Sequence, residues 1–220
     1  FKQQKYKIHQ FWFSCGKNNS MKRSMLLIVF FLVSINVVVA QDLETSNRLY
    51  QSCAGCHGVN AEGNENLNAP ALSIFSTWYL ERQIRNFNQG LRENHPGGNL
   101  LYISDEDIHP LADYIAGKTT VSPQPSIEGN LDRGQFVFQH CISCHGEFGE
   151  GDEDVRTPRL SGQYDWYLLE ELIKFKRGLR GDHPNDLYGA QMMEAAMMFD
   201  EDMLRDAVAY ISSLEIKSDD

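Results

Sequence analysis

Beyond residue 42 the chain is patterned in blocks where apolar residues return every three or four positions, and no segment alternates in the two-residue rhythm of a strand. The blocks predict three helices in each half of the chain. The first pair covers 43–54 and 131–143. The second pair is amphipathic, covers 77–88 and 165–176, and stops at Gly90 and Gly178. The last pair runs over 104–115 and 200–211. Its members open on Asp105, Glu106 and Asp107 or on Glu201 and Asp202, acidic first turns that suit the positive end of a helix dipole. The predicted fold class is all-α.

The two halves are copies of one another. Pro70 and Pro158, Leu72 and Leu160, Trp78 and Trp166, Phe87 and Phe175, Gly90 and Gly178, Arg92 and Arg180, and His95 and His183 all lie 88 positions apart. Past His95 and Pro96 the offset becomes 96, as in Asp105 and Glu201, Ile108 and Leu204, and Tyr114 and Tyr210. The first half is therefore eight residues shorter, about where the second has 187–194. Residues 119–128 are rich in Pro, Ser and Thr, fit neither periodicity, and read as a linker between domains at 41–118 and 129–216. Domains of about 80 residues have thin cores, and a buried prosthetic group would supply apolar surface that they lack.

Ahead of this pattern, residues 21–40 read as a secretory signal. Lys22 and Arg23 form its charged start, an apolar run follows, and Val38, Val39 and Ala40 offer a small-residue cleavage site before Gln41. Left uncleaved, the same run would be a membrane anchor. Residues 1–20 carry a lone Cys15 and read as translated upstream sequence, outside the fold. The charge changes with them: six of the 20 basic residues and none of the 30 acidic ones lie in 1–40, so the exported part holds 14 against 30. A surface so acidic excludes nucleic acid as a partner and favours partners with basic docking surfaces. By its own field such a surface would not bind an anionic membrane.

The chemistry sits in a motif that occurs twice. Cys53-Ala54-Gly55-Cys56-His57 and Cys141-Ile142-Ser143-Cys144-His145 have the spacing of c-type haem attachment, where two thiols form thioethers and the adjacent imidazole binds the iron. Two residues between the cysteines put both sulfurs on one side of a helical turn. A redox-active or zinc-binding cysteine pair is the alternative for a single copy, and two copies, each followed by His-Gly, argue against it. Both motifs together use all four cysteines after residue 40 and leave none for disulfides.

The tyrosine ahead of Cys-x-x-Cys-His-Gly, Tyr50 in the first copy, the following Pro-x-Leu, the Trp-Tyr-Leu helix, Phe-x-x-Gly-Leu-Arg and the acidic opening of the last helix resemble class I cytochromes c, and the tandem resembles the dihaem cytochrome c-four group. The likeness covers nearly all of 43–214. It implies two covalent haems c, His57 and His145 as axial iron ligands, and Pro70 and Pro158 as residues whose carbonyls accept from those imidazoles. It also implies a distal methionine in each domain. The second domain offers Met192 where the family places that ligand, with Met193 as rival and Met197 and Met198 behind them. The first domain departs from the pattern, because no methionine lies between His57 and Met192. Its iron is then open or water-bound, or takes His95 or His109, or the deletion is an error of the gene sequence.

The leading function is periplasmic one-electron transfer between a respiratory donor, such as a quinol-oxidising complex or a dehydrogenase, and a terminal oxidase or reductase. Its expected partners are redox proteins with basic docking surfaces, and membrane contact is expected only through respiratory complexes or an uncleaved anchor. The alternative is a haem enzyme or dehydrogenase subunit that uses an open first haem on peroxide, nitric oxide or a sulfur compound. No acid/base pair stands out, and Glu150, Asp152, Glu153 and Asp154 read as a solvated face.

Overall fold

The computed structural model describes residues 43–92, 102–119 and 123–215, and the expectations about 1–40 and His95 fall outside them. In the first domain, α1 is described over 43–57, α2 is Thr77–Asn88 and α3 is Asp105–Ala116, with a short 3-10 turn at Glu65–Leu67. The second domain has α4 Leu131–Phe138, α5 Ile142–His145, α6 Asp165–Lys176, α7 Leu187–Met197 and α8 Glu201–Ser212. Among the described residues there is no strand, only the isolated bridges Asn64–Ala69 and Asp152–Thr157. Nor is any described helix long and apolar enough to cross a membrane.

Three expectations need correction. Helix α1 runs three residues past Ala54, through His57. Its counterpart is broken, because 139–141 form turns between α4 and α5. The second domain also has a helix that periodicity did not predict, α7. Its sequence mixes Gly189, Ala190, Ala195 and Ala196 with methionines on several faces, so no apolar stripe marks it. Local chemistry starts it instead: Asp186 accepts from Gly189 N at 3.0 Å at the N-terminus.

The second domain is closed by α4 packed across α8. A methyl group on Gly134 would fall on the Asp206 carbonyl, so the backbones can approach this closely only because position 134 has no side chain. Asp206 then serves the crossing twice, accepting from Asn130 N at 2.9 Å and pairing with Arg133. In the first domain Tyr50, Ile108, Leu111 and Ile115 form the buried centre between α1 and α3, joined by Tyr79 and Leu80 of α2.

The two domains meet through α2 and α6, and the repeat shows how. Tyr79, Gln83 and Arg92 correspond by position to Tyr167, Glu171 and Arg180. Arg92 donates to Gln83 Oε1 at 2.8 Å within its own domain, and to Tyr167 Oη at 2.9 Å and Glu171 Oε2 at 3.0 Å across the boundary. Arg180 pairs with Glu171 and reaches back to Tyr79 Oη at 3.3 Å and Gln83 Oε1 at 3.1 Å. Burial works against the Glu171 charge, but Arg92, Arg180 and Lys174 outweigh it and hold the carboxyl at about 2. One carboxylate thus faces two buried guanidiniums, where Gln83 has replaced the second acid.

Candidate functional site

Each Cys-x-x-Cys-His motif ends a helix. His57 closes α1 and His145 closes α5, and both are followed by a glycine at φ 82°, which turns the chain off the helix axis. The chain then folds back on the histidine. Gly63 N donates to His57 O at 2.8 Å, and Gly151 N donates to His145 O at the same distance. A paired turn follows. Asn64 and Ala69 exchange backbone bonds of 2.7 and 3.0 Å, and Asp152 and Thr157 exchange bonds of 2.9 and 2.8 Å. These loops carry Pro70 and Pro158 over the imidazoles, and each proline carbonyl lies 2.9 Å from the Nδ1 of His57 or His145.

That contact fixes the imidazoles. A carbonyl only accepts, so the proton sits on Nδ1 and the lone pair on Nε2. Burial pushes both histidines below the ordinary imidazole value, against the proline bond that raises them, so both are neutral near pH 7. The thiols are not joined in disulfides. Cys56 and Cys144 are exposed, while burial, with the neighbouring cysteine, raises the Cys53 thiol and lifts Cys141 to about 11. Two reduced thiols and a neutral imidazole with a set tautomer form the donor set that covalent haem c requires, twice over.

Among the remaining candidates, Met192 and Met193 sit in the middle of α7 and are half-buried, whereas Met197 and Met198 are exposed, Met198 by 63%. Helix α7 begins against the turn after α6, where Gly181 lies so close to the Gly189 carbonyl that a side chain would collide with it. His109 is on α3, its side chain 69% exposed, with Nδ1 2.5 Å from Glu81 Oε1. That pairing raises its basicity. His183 turns inward to its own loop and accepts from Asn185 N at 3.2 Å.

One residue near this site was not a sequence candidate. Gln163 of the second domain hydrogen-bonds both backbone groups of Ala71, next to Pro70. Its counterpart by repeat is Phe75, so comparison of the halves carries no signal for it.

The Cytochrome c family model matches residues 43–118 and 131–215. The "Thiosulfate dehydrogenase electron acceptor" of Stutzerimonas stutzeri (strain A1501) is 29% identical over 162 residues, which cover 66% of this chain and 72% of that protein. Cytochrome c4 of Azotobacter vinelandii is 28% identical over 150 residues, 58% of this chain and 69% of that one. The solved structure of reduced recombinant cytochrome c4 from Pseudomonas stutzeri superposes with a TM-score of 0.66 at 22% identity, covering 78% of this chain and 98% of that chain, a likeness of fold.

Proposed function

The chain belongs to the cytochrome c family and carries two covalently attached haems c, and from that premise we propose that it is an exported one-electron carrier of the periplasm. The observation that carries this reading is the repeated proximal geometry, a buried neutral imidazole that follows two cysteines in the same turn and is held at 2.9 Å by a proline carbonyl. When bound, haem supplies one-electron cycling between ferric and ferrous iron. Cys53 and Cys56, and Cys141 and Cys144, would hold the two groups, and His57 and His145 would bind the irons through Nε2. Pro70 and Pro158 orient those rings, and the loops at 58–70 and 146–158 wrap each histidine so that water has little access. Met192, with Met193 as the rival, would supply the sulfur ligand of the second domain's haem.

The acidic surface would steer the protein toward partners with basic docking faces, at rates that fall as salt rises. A dehydrogenase is favoured as donor by the relative that is a thiosulfate dehydrogenase electron acceptor. A haem–copper oxidase or another terminal reductase is the proposed acceptor. To test this, the reduced holo-protein is mixed rapidly with membranes that contain such an oxidase. Oxidation of both haems, slowing with ionic strength, is expected. Haems that titrate normally yet are not oxidised by any terminal enzyme would overturn the reading.

A second reading is favoured by one observation, the absence of methionine between His57 and Met192. A first iron with an open distal side would bind small ligands, with the second domain feeding it electrons. Carbon monoxide added to the reduced protein tests this: rapid spectral change at one haem supports an open site, and no change supports the carrier alone.

A further inference from the structure

Gln163 is 3% exposed and turns its carboxamide from the second domain onto the first. Its Oε1 accepts from Ala71 N at 3.0 Å, and its Nε2 donates to Ala71 O at 2.8 Å. Ala71 N belongs to the same peptide group as the Pro70 carbonyl, which accepts from His57 Nδ1 at 2.9 Å. One peptide plane therefore joins a side chain of the second domain to the proximal histidine of the first.

We propose that Gln163 is a positioning residue that tunes the first haem across the domain boundary, through the Pro70–Ala71 peptide and His57. A peptide whose N–H is held by a good acceptor carries more negative charge on its oxygen, so it becomes a stronger acceptor itself. A stronger bond to Nδ1–H makes the imidazole a more electron-rich ligand, which favours the oxidised iron. The repeat places Phe75 at the position that matches Gln163, and Phe75 is buried in the first domain's apolar core. Docking of the domains thus bears on the poise of the first haem through Gln163.

The inference rests on His57 being an iron ligand, and the experiment separates the two claims. Gln163→Leu removes the acceptor, and Gln163→Glu keeps an acceptor, now charged, of nearly the same shape. Both full-length holo-proteins are titrated spectroelectrochemically, and the Nδ1–H resonances of His57 and His145 are followed by NMR after histidine labelling with nitrogen-15. At the wild-type midpoint of the first haem, Gln163→Leu is expected to move its reduced-to-oxidised ratio about threefold toward reduced, and Gln163→Glu toward oxidised. The His57 Nδ1–H signal should move in opposite senses in the two variants, with His145 unmoved. Shifts of the same sign in both variants, or equal movement of both haems, would mean that a loosened interface is the cause and would overturn the proposal. A His57 signal that is haem-shifted in the wild type but untouched by either variant would overturn the role of Gln163 and leave the ligand assignment standing. A wild-type His57 signal without any haem-induced shift would overturn that assignment, and the tuning role with it.

Discussion

Both domains present Nδ1–H of a buried histidine to a proline carbonyl at 2.9 Å, yet the segments that follow diverge. Eleven residues separate Arg92 from Ser104, whereas 19 separate Arg180 from Asp200, and the longer segment carries α7 with Met192 and Met193. The proximal half depends on short-range geometry, a motif closing a helix and a loop returning over it, and such geometry tolerates no length change. The distal half is one excursion between α6 and α8. Its shorter counterpart in the first domain differs by eight residues, while α2 and α6, through which the domains meet, keep the same length. The two halves also trade stabilisers. Tyr50 Oη donates to Gly58 O at 2.5 Å in the first domain, where the second has Phe138, while Thr157 Oγ1 donates to Cys144 O at 2.6 Å where the first has Ala69.

Five variants probe the difference between the two domains. The largest effect is expected from replacing Cys141 and Cys144 together by Ser: the second haem should be lost from the covalent mass while the first remains. Loss of both would show that the domains do not mature independently. Next is Glu171→Gln, which leaves Arg92 and Arg180 buried without a carboxylate and should destabilise the haem-loaded protein by about 3–5 kcal/mol in denaturant unfolding. This carboxyl has its folded value depressed to about 2 from an ordinary 4.5. Its stabilisation is therefore full above pH 4.5 and lost as pH falls toward 2, and Glu171→Gln should flatten the stability profile in that window.

A smaller loss, about 1–3 kcal/mol, is expected for Gly134→Ala, because the added methyl must push α4 off α8. The first domain already has a side chain, Ser46, at the matching position, so Ser46→Ala should change stability by less than about 1 kcal/mol. Equal losses in thermal unfolding would contradict the view that the two helix crossings differ. The smallest effect belongs to Tyr50→Phe, which makes the first domain resemble the second at that point and removes one buried bond, for about 1 kcal/mol.

The spacing predicts α2 and α6 with the limits found, because the apolar stripe of α2, its repeat in the second half and the Gly90 and Gly178 stops agree with one another. It predicts no α7, where glycine, alanine and methionine leave every face alike, and it misses the break after Phe138, which no proline announces. At the candidate site, the motif spacing defines the thiol and imidazole positions, but the loops over 58–70 and 146–158 follow from backbone bonds that no periodicity encodes. The domain boundary was the least legible part. Gln83, Arg92, Glu171 and Arg180 are polar residues on or beside amphipathic helices, and such positions read as solvent-facing until the second domain covers them.

Near-infrared absorption of the oxidised protein, calibrated against the covalent haem count from mass, separates one methionine-bound haem from two. Two haems are expected, with one sulfur-to-iron band in the amount of a single methionine ligand and loss of that band in Met192→Ala. A band in the amount of two ligands, or none in the wild-type protein, would refute the assignment of one methionine to two haems.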